Sequence, residues 1–186
     1  MPNIFMMRKL SLALLLLLFY QVSFSQFFKD KKSVTKYDGY FNFYYDSSDD
    51  KLYLEVDKLK TDFLYVRSLS EGIGSNDIGL DRGQLGDGVV VNFKKAGNKL
   101  LLVQPNQKFR AITKNDDERK SIEEAFAKSV LYGFVIKEEK NNIYLVDATD
   151  FFMRDAHGVI NRLEQNKQGN YNLDKSRSAF NIDRTK

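Results

Sequence analysis

The sequence predicts an α+β domain: a mostly antiparallel β-sheet built from hairpins, with two amphipathic helices. Three observations carry that reading. Apolar and polar residues alternate in short runs separated by turn residues, and two later stretches place apolar residues at helical spacing. The composition, 42% hydrophobic and 29% charged over 186 residues, is that of one globular unit.

In chain order, Arg8 and Lys9 precede an apolar run over 10–20, and Ser23 and Ser25 put small residues where a signal peptidase reads. The run is shorter than the roughly 20 residues a membrane-spanning helix needs. Residues 1–25 are therefore expected to be a cleaved export signal. The mature chain would start at Gln26, lie in the periplasm or outside the cell, and have no stable membrane anchor after cleavage. Such compartments permit disulfides, yet the chain has no cysteine, so packing alone has to hold the fold.

Residues 26–65 hold eleven of the 25 Phe and Tyr residues. Here Tyr40, Asn42 and Tyr44 alternate with Phe41, Phe43 and Tyr45, and beyond the polar stretch 46–50, Leu52, Leu54 and Val56 alternate with Tyr53 and Glu55. That is a hairpin pattern, and 63–70 supplies a third strand. An aromatic strand face could stack sugars or bases, but without interleaved basic residues it reads as a sheet packed on its core.

Six of the eleven glycines fall in 72–88. Residues 72–77 lack the third glycine of a dinucleotide fingerprint, no Lys-Ser or Lys-Thr pair makes a phosphate loop, and the acids miss the alternate spacing of a calcium loop. Seventeen residues is long for a loop without regular structure, and loops of that length are functional or disordered. The embedded Ile73, Ile78, Leu80 and Leu85 predict an ordered loop packed on something, which makes Asn76, Asp77, Asp81 and Arg82 the candidate interface residues.

Two further hairpins follow, 89–94 with 99–104 across Gly97-Asn98, and 134–138 with 143–147 across Asn141-Asn142. Between them Asn115 is a predicted helix cap with Glu118 three residues on, and Ile122, Ala125, Phe126 and Val130 recur at helical spacing before Gly133. A second helix is predicted after Thr149, with Phe152, Ala156, Val159 and Leu163 on one face and Gly158 as a possible break. Inside it, Arg154-Asp155-Ala156-His157 crowds a base, an acid and an imidazole. Residues two apart on a helix diverge and no nucleophile adjoins them, so the reading is a surface helix, not a catalytic pair.

Composition excludes several chemistries. Without cysteine there is no thiol nucleophile and no Cys-ligated zinc, and with His157 the only histidine, a two-histidine zinc motif cannot form. No position qualifies as a catalytic, cofactor or metal residue, and no cofactor is expected in this chain. Removing Arg8 and Lys9 takes the formal charge from +4 to +2, with Lys and Arg dispersed among acids, so nucleic acid is not an expected partner.

Residues 39–44 (Gly-Tyr-Phe-Asn-Phe-Tyr), the block 74–86, residues 146–151 (Val-Asp-Ala-Thr-Asp-Phe), residues 154–159 and residues 173–178 follow in an order that resembles the N-terminal domain of unknown function of secreted bacterial zinc-dependent metalloproteases. The resemblance runs from about Tyr37 to Lys186. It implies an exported hydrolase whose zinc and H-E-x-x-H motif belong to a later domain, so that 26–186 is one β-rich α+β domain continuing past Lys186. The alternating residues Ala179, Phe180, Asn181 and Ile182 agree, reading as an interrupted strand. Expected, then, is a noncatalytic domain, inactive alone, with a folding, shielding or substrate-presenting role and the downstream catalytic domain as partner. The alternative is an independent exported binding module using 72–88 for a peptide, glycan or calcium.

Overall fold

The computed structural model describes residue 24 and residues 26–74, 77–109 and 111–182. Of the predicted leader 1–25, only Phe24 is among them.

Eight strands form one sheet: β1 (Val34–Tyr37), β2 (Phe43–Asp46), β3 (Lys51–Val56), β4 (Phe63–Tyr65), β5 (Val89–Ala96), β6 (Lys99–Gln104), β7 (Ser129–Lys140) and β8 (Ile143–Asp147). Their order is β1-β2-β3-β8-β7-β6-β5-β4, antiparallel at every seam. The predicted hairpins are present. β5 and β6 join across Gly97, and β7 and β8 join across Asn141 and Asn142, both left-handed at φ 51° and 63°, the backbone a two-residue hairpin turn requires. β7 begins earlier than predicted because its first half pairs with β6. β1 was not anticipated: its pattern, Val-Thr-Lys-Tyr, is too short to stand out. The predicted strand 63–70 shortens to three residues plus an isolated bridge from Ser68 to Leu85.

Alternation gives the sheet two covered faces. Leu52, Val56, Val91, Phe93, Leu100, Leu102, Phe134, Tyr144 and Val146 form the main core. The opposite face carries Tyr44, Tyr53 and Leu145, covered by Phe24, Phe27 and Phe28 from the N-terminal arm. Just after β3, Leu59 forms a parallel bridge with Phe93 and the Lys60 N–H donates to the Phe93 carbonyl at 2.8 Å. Since β5 lies four strands from β3 in the sheet, this contact requires the sheet to curl strongly around the core.

The prediction of two amphipathic helices is corrected in part. α1 (Asp116–Ala125) forms with Asn115 as its cap, but it stops short of Phe126 and Val130, the latter taken into β7 by pairing with β6, and none of its residues is buried. The second helix divides into α2 (Thr149–Phe152) and α3 (Val159–Gln165), with Gly158 at φ 77° in between. The predicted apolar face therefore does not exist as one stripe: Phe151 is buried, while Phe152 is 47% exposed. The predicted strand at 179–182 is an irregular segment outside the sheet, and residues 183–186 lie outside the described residues.

Candidate functional site

The glycine-rich loop leaves the sheet after β4 as a narrow ladder. The Gly86 N–H donates to the Arg67 carbonyl at 2.8 Å, the Leu69 N–H to that of Gln84 at 3.0 Å, and the Gly83 N–H to that of Leu69 at 2.6 Å. Farther out, the Ile73 N–H donates to the Leu80 carbonyl at 3.2 Å. Composition permits this closeness. A Cβ on Gly72 would lie 2.8 Å from the Arg82 nitrogen and 3.0 Å from the Leu80 oxygen, both backbone atoms that cannot swing away. Gly83, at φ 81°, turns the chain back toward Gln84, whose side-chain oxygen accepts from the Asp81 N–H at 3.3 Å.

Packing agrees with the prediction of an ordered loop at some residues and not at others. Leu80 is 1% exposed and Ile78 half-buried, but Ile73 and Leu85 are exposed. Leu85, bridged to Ser68, is exposed, as are Leu64 and Val66 on and beside the edge strand β4.

Two arginines tie the loop to the C-terminal part of the chain. Arg67, at the loop's base, donates to the Ala156 carbonyl through Nη1, and Arg162 of α3 reaches the Ile78 carbonyl at 3.4 Å. Sequence reasoning missed both, because the partners lie 89 and 84 residues away and nothing local marks them. The segment Arg67 meets is the Arg154-Asp155-Ala156-His157 motif, whose roles are structural. Arg154 lies 4.3 Å over the Phe151 ring, donates to the Phe151 carbonyl at 2.8 Å and reaches the Tyr65 hydroxyl at 3.3 Å. Asp155 accepts from the Val159 and Ile160 N–H groups at 2.9 and 2.8 Å, capping α3. With its carboxylate occupied there, no Asp155–His157 bond forms. Arg67 Nε and His157 Nδ1 are buried without a hydrogen-bond partner among the described residues.

Of the candidate interface residues, Asn76 lies outside the described residues. Asp77 and Arg82 are exposed and Asp81 is half-buried. None of these three side chains makes a hydrogen bond or ion pair with a described residue, so the loop holds its backbone fixed and leaves its charges unengaged. Asp77, Asp81 and Asp87 do not converge: among the described residues no group of three or more His, Cys, Asp or Glu could hold a metal ion.

Comparison with known families divides the chain at this loop. Residues 21–72 match a domain of unknown function, DUF5118, and residues 83–186 match a second, DUF5117. The outer loop, with Asp77, Asp81 and Arg82, lies between the two matches. No curated protein and no solved structure matches the chain. The second match spans more than half of the sequence, including strands β5 to β8 and all three helices, and the chain therefore belongs to the family of the domain of unknown function DUF5117.

Proposed function

We propose that this chain is the noncatalytic N-terminal part of an exported zinc-dependent metalloprotease, and that the loop over 72–88 is the face on which the catalytic domain docks. One observation carries the reading: the loop is braced from behind by Arg67 and Arg162, while Asp77, Asp81 and Arg82 remain without partners among the described residues. A hydrogen-bonded loop presenting uncompensated charges is suited to recognition, because less ordering entropy is lost when a partner binds. The motif order from 39 to 178 supports the protease assignment by resemblance, and the basic-apolar-small order of 1–25 supports export. Zinc belongs to the partner domain in this reading.

The test is binding between this chain and the polypeptide encoded downstream of Lys186. Asp77→Lys combined with Arg82→Glu should weaken that association at least tenfold while leaving the melting temperature unchanged. Equal affinity sinks the docking role, and a downstream sequence without H-E-x-x-H sinks the protease assignment. Stabilisation by several degrees at sub-millimolar calcium, lost in Asp81→Ala, would instead favour a calcium-binding module.

A further inference from the structure

The inner face of β1 to β3 is a regular apolar grid. Register places Tyr37 opposite Phe43 and Phe43 opposite Leu54, and one row along, Tyr45 opposite Leu52. The Tyr37 and Phe43 rings stack at 4.8 Å. These two rows are two residues apart, about 6.8 Å on an antiparallel strand. Phe152 of α2 borders them on one side, next to Leu52 and Leu54. The rest of their cover is the segment 179–182, whose Phe180 and Ile182 are half-buried against the core while Ala179 and Asn181 stay exposed, a two-residue alternation. Phe180 meets Tyr45 edge-on at 6.2 Å.

Among the described residues, the segment is hydrogen-bonded at its root and not beyond it. At the root, Asp174 accepts from the backbone and hydroxyl of Ser176 at 3.0 and 2.6 Å, the Ser178 hydroxyl donates to the Asp174 carbonyl at 2.8 Å, and Lys175 pairs with Asp150 at 2.7 Å. Beyond it, no backbone hydrogen bond joins 179–182 to the sheet among the described residues, so side-chain packing alone holds the arm. Nor does the arm fill its seat. A cleft of about 250 Å³ lies between it and Phe43, Leu52, Leu54 and Phe152, and one of about 490 Å³ between it and Tyr37 and Tyr45.

We propose that 179–182 is a displaceable strap over a peptide-binding trough, and that the trough takes an extended peptide with apolar side chains at positions i and i+2, at least one of them aromatic. The strap identifies its own competitor. Phe180-Asn181-Ile182 shows the alternation that the two rows accept, and these three residues line both clefts. Opening requires only that two side chains leave an apolar surface, a local event that leaves the β2–β3 and β3–β8 ladders intact. The trough shares no residue with the loop at 72–88, so this inference and the docking reading stand or fall separately.

The chain has no cysteine, so an introduced thiol reports one position. In the full chain, Leu54→Cys, under the strap, should react with a thiol reagent at least a hundredfold faster than Leu102→Cys in the main core, and saturating peptide Ser-Ala-Phe-Asn-Ile-Asp should slow it. The same peptide, fluorescently labelled, should bind Phe180→Ser/Ile182→Ser at least tenfold more tightly than the unaltered chain. A peptide with serine at both apolar positions should not bind. Equal labelling rates at Leu54→Cys and Leu102→Cys, no gain in binding, or a double variant that fails to fold would each show the arm to be permanent core and overturn the inference.

Discussion

Asp46 is a fully buried carboxylate on β2 and depends on the N-terminal arm for its charge. Burial opposes ionisation, but the Lys31 ammonium at 2.5 Å, the Ser48 hydroxyl at 2.7 Å and the Ser48 N–H at 3.2 Å outweigh it and hold the carboxyl below its ordinary value. Lys31, hydrogen-bonded to Asp46 and also to Asp49 at 2.9 Å, is held above the ordinary lysine range. The sign follows from the carboxylate. Its contribution is fully present above the unfolded value of about 3.9 and is lost as pH falls through the lower folded value. Lys31→Met should cost about 3 kcal/mol at pH 7 by leaving a buried charge unpaired, and the penalty should shrink in strong acid as Asp46 protonates. Urea unfolding of both proteins at pH 7 and near pH 2.5 checks this, and an equal penalty at both would assign the effect to packing. On the same face Tyr44 is pushed up by burial and by donating its hydroxyl to Glu55 at 2.6 Å, so it stays a neutral donor.

Among the elements, α1 shows how a local signal can be read correctly and still mislead about packing. Asn115 accepts from the Asp117 N–H at 2.9 Å, and Asp116, Asp117 and Glu118 put negative charge at the helix start, where the backbone dipole favours it. Yet α1 buries no residue, and just beyond its end Phe126 stacks on Phe109 at 4.1 Å, outside the main core. Asn115→Ala should therefore cost the helix about 1 kcal/mol without moving the global melting temperature. Amide exchange should quicken at the helix's hydrogen-bonded amides, including Arg119, and remain unchanged in β5 to β8. Loss of protection across the sheet would mean that α1 is coupled to the core. The split of the second predicted helix has a local cause: Gly158 adopts a left-handed conformation, and Asp155 caps the segment that follows.

At the scale of the whole molecule, the two family segments interlock. Strands β1 to β4 belong to the first match and β5 to β8 to the second, yet β3 pairs with β8 and β4 with β5, so the first segment flanks the second on both sides. Neither half can close the sheet alone. A fragment over 26–72 should be unfolded, and one over 83–186 should expose the edges of β5 and β8 and self-associate. Produced together, the two should recover a cooperative melt in circular dichroism. A monomeric, cooperatively melting 83–186 would show that its four strands suffice.

The hairpins were legible in the amino-acid order, because alternation of side chains and residues suited to left-handed turns, such as Asn141 and Asn142, are local properties of the chain. That order also marked the loop at 72–88 as unusual through its glycines, and the close approach of Arg82 to Gly72 accounts for one of them. Which strands meet across the sheet, and which face each apolar row buries against, emerged with the folded arrangement. That arrangement alone revealed that Arg67 and Arg162 brace the loop, and that Phe180 and Ile182 lie on the face of the sheet instead of extending its edge. These outcomes depend on contacts between residues some 80 to 140 positions apart, where the curl of the sheet sets the partners and no local periodicity records them.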